Sequence, residues 1–245
     1  MRQSSATPKL SPPLMEDLVL ANRILFHQRI VDGLGHISVR HDQDPGRYLM
    51  ARMRVPGLVS AEDIITYDLD SNPQGDDRKS YNERFIHGEI YKARPDVQSV
   101  VHCHTRALLP FTVTKAPLRP LYHMSGFLGK GVPVFDIRDA AGGPTNMLVR
   151  DPKLGRALAQ SLGDKNMVLM RGHGATLVGN SIKNAVFRAI YAAENAELQM
   201  EAMRLGDVMY LSPEEAVLGA EVNESNDTSL DRPWSAWKFQ LLGKE

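Results

Sequence analysis

The stretch Val100-Val101-His102-Cys103-His104-Thr105 decides how the rest of the chain is interpreted. Residues 97–101 hold three valines and follow the turn-forming residues Arg94-Pro95-Asp96, a pattern that predicts a buried strand. Side chains alternate along a strand, so His102 and His104 face one side and Cys103 faces the other, into the core. Two imidazoles on one face can bind the same cation.

A second stretch, Met170-Arg171-Gly172-His173-Gly174, places another histidine at the end of an apolar run. Its flanking glycines allow the backbone to approach an ion or a substrate closely. A His-x-His pair alone fits two core histidines equally well, and the third histidine is what favours a ligand set. Three histidines that end two buried strands predict a metal site with open positions, as in catalytic zinc sites.

Composition excludes several classes of protein. The 245 residues include 29 Lys+Arg and 29 Asp+Glu, so no excess charge points to nucleic acid or to a membrane surface. No apolar run reaches the roughly 20 residues of a membrane span, and residues 1–8 lack the apolar core of a secretory signal. A single cysteine excludes an intrachain disulfide and suits the cytoplasm. We expect a single cytoplasmic domain over residues 1–245, with a frayed start over 1–10 and a tail over about 221–245.

Turn signals and apolar periodicity predict alternating strands and helices along the chain. Helices are predicted from Ser11 to about residue 31, over about 82–93, over 151–162 and from Ser181 onward; strands over 35–40, 48–51, 64–68, 97–104, 132–137, 167–170 and 175–179; and a loop over 118–128. A wholly parallel sheet needs a crossover connection, usually a helix, between successive strands, and the chain has too few predicted helices for its strands. The fold class is therefore α/β, with a mixed or antiparallel sheet and helices on its faces.

Four motifs together resemble the class II aldolase, epimerase and adducin family: Glu83-Arg84-Phe85-Ile86-His87-Gly88-Glu89-Ile90-Tyr91, Arg94-Pro95-Asp96-Val97, His102-x-His104, and Gly172-His173-Gly174 with Gly179. The resemblance extends from about Gly35 to Gly206. It implies an α/β/α sandwich with a central mixed, mostly antiparallel sheet, and a homotetramer with active sites between subunits. It also implies a divalent metal held by His102, His104 and His173, with Glu83 as a fourth ligand or as an acid/base. Adducin-like members lack these ligands, so their presence here favours an enzyme.

Two departures from the sugar-phosphate members of that family narrow the function. Those members carry Gly-Asn at the first turn and Ser-Ser before the glutamate, both of which hold phosphate. Here the turn is Gly35-His36 and the second site reads Ser80-Tyr81-Asn82, which argues against phosphate binding. The Gly35-His36-Ile37-Ser38 turn, together with residues 121–129 and 134–138, resembles the decarboxylase branch of the family. Members of that branch act on substrates such as 3-hydroxy-2-methylpyridine-4,5-dicarboxylate.

The resemblance therefore implies a metal-dependent carbon–carbon lyase. We expect a decarboxylase of a hydroxylated aromatic or pyridine (di)carboxylate, acting through a metal-stabilised enolate or carbanion with Zn²⁺ or Mn²⁺. The alternatives are a class II aldolase or epimerase acting on a sugar or sugar phosphate and, as a third class, a non-catalytic assembly protein. Glu83 or His36 would move the proton, and His87 would support the site or the core. The expected substrate contacts, some from a neighbouring subunit, are Ser38, Arg84, Tyr122, His123 and Tyr210.

Overall fold

A seven-stranded sheet crosses the protein in a computed structural model that describes residues 11–225 and 227–243. Its strands are β1 (His36–Arg40), β2 (Arg47–Ala51), β3 (Ile64–Asp68), β4 (Ser99–Cys103), β5 (Val134–Phe135), β6 (Met167–Met170) and β7 (Gly174–Gly179). Their order is β3-β2-β1-β4-β7-β6-β5, and every neighbouring pair is antiparallel except β5 with β6. The predicted mixed, mostly antiparallel sheet is confirmed.

Helices cover the two faces of this sheet. They are α1 (Pro12–His27), α2 (Arg84–Ala93), α3 (Leu109–Val113), α4 (Ile137–Ala141), α5 (Pro152–Leu162), α6 (Ile182–Leu205), α7 (Pro213–Glu224) and α8 (Asp227–Leu242), with 3₁₀ turns at Pro56–Leu58, Ala61–Asp63 and His123–Lys130. Helices α1 and α6 contact each other and the central strands, and α2 packs against α5. The α/β/α fold class is confirmed. No helix in the described part of the chain is long and apolar enough to cross a membrane.

Strand register determines which side chains meet under α2. His36 lies opposite His102 across β1 and β4, Ser38 lies opposite Val100, and His102 lies opposite Thr176 on β7. Directly paired residues share a face of the sheet, so these side chains all lie on the face covered by α2. Cys103 points the other way and is fully buried in the hydrophobic core, as the strand phase predicts.

Two local predictions differ from the structure. The loop expected over 118–128 becomes the 3₁₀ helix His123–Lys130, which packs on α7 where two glycines leave room. A Cβ at Gly126 would lie 2.4 Å from the carbonyl oxygen of Ala216, so a larger residue there would separate the two helices. The strand expected over 132–137 shrinks to β5, because the Asp136 carboxylate accepts a hydrogen bond from the Arg138 amide and begins α4.

Two helices lie in the described part of the chain where the sequence predicts a tail over about 221–245. Helix α7 continues to Glu224 and α8 follows, contacting α1, α6 and α7. Leu230, Trp234 and Trp237 are buried, at spacings of four and three residues that place them on one helical stripe. This stripe has no clear local signal in the sequence, because the residues around it are polar. The start predicted to be frayed, 1–10, lies outside the described residues.

Candidate metal centre

Four side chains from separate parts of the chain come together on the face of the sheet that α2 covers. The ligand atoms of Glu83, His102, His104 and His173 all lie within 4.8 Å of one another. The Nε2 atom of His104 lies 3.0 Å from Nε2 of His102 and 3.0 Å from Nε2 of His173. The Oε2 atom of Glu83 lies 3.5 Å from Nε2 of both His102 and His173. The structure thus brings together the four side chains that the motifs single out.

Each of these side chains is held at the end of a regular element. His102 lies within β4, and His104 follows directly where the strand ends. His173 lies in the tight turn between β6 and β7, where Gly172 has a φ of 63° that favours glycine. Glu83 is the residue that precedes the first turn of α2. Ligands on rigid strands and at a helix start keep their spacing without help from a flexible loop.

The spacing and hydrogen bonding of the three imidazoles fit a cation. Nδ1 of His102 lies 3.1 Å from the carbonyl oxygen of Ala175 and must donate to it, which leaves Nε2 with a free lone pair. The Nε2 atom of His104 has either one hydrogen or one lone pair, so it cannot make full hydrogen bonds to both of its imidazole neighbours. A shared cation removes this conflict. Zinc–nitrogen bonds of about 2.0–2.1 Å in a tetrahedral site separate the donors by about 3.3 Å, close to the separations seen here.

The surroundings of Glu83 turn its carboxylate toward the histidines and favour its ionised form, as a metal ligand or a base requires. Its Oε1 atom accepts a hydrogen bond of 2.9 Å from the backbone amide of Val149, so Oε2 faces the histidines. Burial opposes ionisation of this carboxyl group, but the interactions with His102 and His173 outweigh it and lower the pKa of Glu83. Burial is also the main reason that the pKa of His104 falls to about 3, which keeps its imidazole neutral and able to bind a metal.

His36 stands beside this cluster at the head of a chain of hydrogen bonds. Its ring centroid lies 5.2 Å from that of His102 and 4.7 Å from that of Tyr81. Its Nδ1 atom lies 2.7 Å from Nε2 of His87, whose Nδ1 lies 2.6 Å from the Ser38 hydroxyl. The expectation that His87 supports the site rather than binding the metal agrees with this position.

A cavity of about 440 Å³ opens onto the cluster. Its wall includes Glu83, His104 and His173 together with His36, and the residues that replace the phosphate-binding motifs, Tyr81 and Asn82, also line it. Residues 146–148 also line it, although no local pattern in the sequence marks this segment. The cavity is of the size that takes a small organic ligand.

A second, larger cavity of about 730 Å³ adjoins the first and shares His104 and Asp32 with it. Arg23, Arg29 and Arg106 line it, beside apolar residues from the end of α1. Sequence analysis did not single out these arginines, because they are far apart along the chain and only the fold brings them to one cavity. Together they favour a negatively charged group close to the metal centre.

The predicted substrate-binding residues do not line either cavity within one chain. The Ser38 hydroxyl is buried against His87 and Tyr91. The Arg84 guanidinium donates to the carbonyl oxygens of Ser71 and Tyr81.

The remaining three predicted contacts lie together in another region. The rings of Tyr122 and His123 are 6.1 Å apart at the start of the 3₁₀ helix that packs on α7. Tyr210 lies under the Arg119 guanidinium, at 4.1 Å, just before α7 begins. Any contact between these residues and a substrate would have to come from another subunit.

The chain is similar to known proteins over most of its length. Residues 16–200 match the family model described as the class II aldolase and adducin N-terminal domain. The decarboxylase tropJ of Talaromyces stipitatus is 40% identical over 237 residues, which cover 87% of this chain and 88% of that protein. The 3,4-dihydroxyphthalate decarboxylase of Arthrobacter keyseri is 34% identical over 249 residues, covering 92% of each.

Among solved structures, the L-fuculose 1-phosphate aldolase of Glaciozyma antarctica superposes with a TM-score of 0.77 at 22% identity, over 97% of this chain and 95% of that one. An aldolase II superfamily protein from Pseudomonas syringae gives the same TM-score at 24% identity, over 95% of this chain and 94% of that one. At this identity the two structures are informative about the fold alone. The family-model match and the two decarboxylase relatives, taken with the fold, show that the chain belongs to the class II aldolase and adducin family.

Proposed function

We propose that this chain is a metal-dependent decarboxylase of a hydroxylated aromatic or pyridine carboxylate that carries one or two carboxyl groups. The observation that carries the proposal is the full set of three histidines and one glutamate in a chain that is 40% and 34% identical to two decarboxylases over most of its length. An assembly protein would not need these four side chains in register around an open cavity.

The donor set suits Zn²⁺ or Mn²⁺, held by His102, His104 and His173, with Glu83 as a fourth ligand or as an acid/base. When bound, such a cation supplies Lewis-acid stabilisation of negative charge on the substrate oxygen next to the breaking bond. Loss of CO2 leaves the electron pair of the broken carbon–carbon bond on the ring, and a proton must then be added to that carbon. The protein residues must hold the ring, exclude water and supply this proton.

Glu83 and His36 are the side chains placed to handle the proton, because both line the cavity at the cluster. The Val149 amide holds one oxygen of Glu83 and leaves the other facing the site. Tyr81 lies at the same wall, where its ring can cover an aromatic substrate. Its hydroxyl is bound to the carbonyl oxygen of Arg54, which fixes the orientation of the ring.

The arginines of the adjoining cavity support a carboxylated substrate. Arg29 and Arg106 are exposed, and Arg23 is partly exposed with its Nε donating to the carbonyl oxygen of Val59. A substrate bound at the cluster that extends past His104 would bring a second carboxylate group toward these guanidinium groups. Arginine pairs well with carboxylates because its planar donors match both oxygens.

We further propose that the protein is a homotetramer in which Tyr122, His123 and Tyr210 of a neighbouring subunit approach the cavity. This part of the proposal is supported by family membership and by the finding that these three residues do not line the cavity within one chain. Sedimentation of the purified protein tests it, and a stable monomer with full activity would contradict it.

The test of function is CO2 release by metal-loaded protein on a panel of ortho-hydroxylated benzoates, phthalates and pyridine carboxylates, with sugar phosphates included. A chelator-treated sample and the His102→Ala variant serve as controls. Metal-dependent CO2 release from a ring acid, lost in both controls, would support the proposal. A carbonyl product from a sugar phosphate without CO2 from any acid would replace it with the aldolase alternative.

A further inference from the structure

A linear chain of hydrogen bonds runs from His36, beside the metal centre, into the protein between β1 and α2. It begins at Nδ1 of His36, passes through both ring nitrogens of His87 and the hydroxyl of Ser38, and ends at the Tyr91 hydroxyl, with donor–acceptor distances of 2.7, 2.6 and 2.7 Å. Ser38 and His87 are fully buried, and Tyr91 is 1% exposed. No other side chain joins this chain in the part of the protein that the structure describes.

The 2.7 Å bond between His36 and His87 requires one ring nitrogen to donate and the other to accept, and a neutral imidazole carries one N–H. Three arrangements of hydrogens then make all three bonds, because a serine oxygen can accept two hydrogen bonds. In the first, His36 donates from Nδ1, His87 donates to Ser38, and Ser38 donates to Tyr91. In the second, every donor is reversed: Tyr91 donates to Ser38, Ser38 donates to Nδ1 of His87, and Nε2 of His87 donates to His36. In the third, His36 and His87 donate as in the first, and Ser38 accepts from both His87 and Tyr91.

The hydroxyls of Ser38 and Tyr91 decide among the three arrangements. In the first, the phenol hydrogen of Tyr91 needs an acceptor, and Ser38 is the only acceptor that the described residues offer it. A buried hydroxyl without an acceptor loses its hydrogen bond to water and gains nothing in return. In the third arrangement, the hydrogen of the Ser38 hydroxyl has no acceptor among the described residues. The second arrangement satisfies both hydroxyls, and its one hydrogen without a protein acceptor is on Nε2 of His36, a residue that lines the cavity.

This arrangement determines which ring nitrogen of His36 carries the hydrogen beside the metal centre. If Nδ1 of His36 accepts from His87, its single hydrogen is on Nε2, the ring nitrogen left for a substrate in the cavity that His36 lines. We infer that Tyr91, Ser38 and His87 are positioning residues that hold His36 as an Nε2–H hydrogen-bond donor to a substrate oxygen. This inference rests on the proposed function for the substrate but not for the tautomer, and it assigns His36 the role of a donor rather than that of a general base.

The tautomer can be measured directly in the zinc-loaded full-length protein labelled with ¹⁵N-histidine. Solid-state ¹⁵N spectra separate protonated from bare ring nitrogens, and the signals of His36 are those absent from a His36→Asn sample. We expect Nε2 of His36 to be protonated and Nδ1 to be bare and hydrogen-bonded. A proton on Nδ1 of His36 in the wild-type protein would overturn the inference, whatever the substrate proves to be.

A matched pair of variants tests the positioning role. His87→Gln keeps an N–H donor toward His36, whereas His87→Met has a similar length and no donor. We expect the Met variant to lose kcat by about tenfold or more, as removal of a supporting hydrogen bond at a metal site does, with KM little changed, and the Gln variant to recover most of that loss. A role in packing alone predicts the opposite order, because an apolar side chain suits a fully buried position better, and equal kcat values would also contradict the inference.

Zinc content and thermal melting of each variant distinguish loss of the metal site from loss of the hydrogen-bond donor. If the Met variant does not fold, the ¹⁵N measurement of the His36 tautomer in the wild-type protein tests the inference by itself. Absence of CO2 release from every acid in the panel, with the Nε2–H tautomer present, would remove the decarboxylase proposal and leave the tautomer standing.

Discussion

Gly174 is the residue at which a single methyl group should break the metal centre. It begins β7 directly after His173 and packs against the end of β4, next to His104. A Cβ at this position would lie 2.1 Å from the carbonyl oxygen of Cys103 and 3.2 Å from Cα of His104. Both contacts are with backbone, so no side-chain rotation can relieve them. The Gly174→Ala substitution must move β4 and β7 apart where they carry two ligands.

The size of that movement can be worked from the structure. The 2.1 Å approach falls 1.3 Å short of the 3.4 Å at which ordinary contact begins. His104 and His173 hold their Nε2 atoms 3.0 Å apart, and metal–ligand distances tolerate deviations of only about 0.2 Å. Even if most of the strain is absorbed elsewhere, one ligand should be displaced. We expect zinc affinity to fall by about 100-fold or more, the upper end for loss of a supporting contact, or about 2.7 kcal/mol.

Competition with a chromophoric zinc chelator measures this loss, and thermal melting of the apo-protein measures any accompanying loss of stability. Gly179→Ala is the matched control, since it is in the same strand and its Cβ would lie 2.5 Å from the backbone nitrogen of Ala185, away from the ligands. The control should lower the melting temperature and leave zinc affinity unchanged. Wild-type zinc affinity in Gly174→Ala, or an equal loss in both variants, would refute the reasoning.

Three further predictions follow from other contacts. Glu83→Gln keeps an oxygen for the Val149 amide but loses the negative charge, so zinc should still bind at saturating concentrations while CO2 release falls by about 100-fold; wild-type turnover would remove Glu83 from the chemistry. Arg106→Ala should raise KM by about tenfold for a dicarboxylate and leave a monocarboxylate unaffected, and an equal effect on both would contradict an anion-binding role. Burial raises the pKa of the Cys103 thiol from 9.0 to about 12, which lowers its thiolate fraction at pH 8 by about a thousandfold. It should therefore react with iodoacetamide only after unfolding, and rapid alkylation of the native protein would contradict its burial.

The parts of the site that could be predicted from sequence are those set by local periodicity. Alternation along β4 placed His102 and His104 on one face, and glycines beside His173 indicated a tight turn at the end of an apolar strand. Glu83 required the family resemblance, because a carboxylate at a helix start is common without any ligand role.

The rest depends on contacts between residues far apart in the chain. The Val149 amide reaches Glu83 across 66 positions, and His36 meets His87 across 51, through strand register and helix packing that no local pattern encodes. Arg84 shows the opposite case: its position in the motif suggested a substrate contact, but two backbone carbonyl groups occupy its guanidinium. Residue type and spacing do not reveal which charged groups are already satisfied.

The ligands of the metal centre are residues 83, 102, 104 and 173. A bound cation would therefore link the start of α2, the end of β4 and the β6–β7 turn. In thermodynamic terms, the cation is then part of the folding equilibrium. A ligand that binds only the native state adds about 2.7 kcal/mol to the free energy of unfolding at a free concentration 100 times its dissociation constant. The melting temperature should therefore rise with free zinc concentration, and a chelating buffer should give a less stable protein from the same fold.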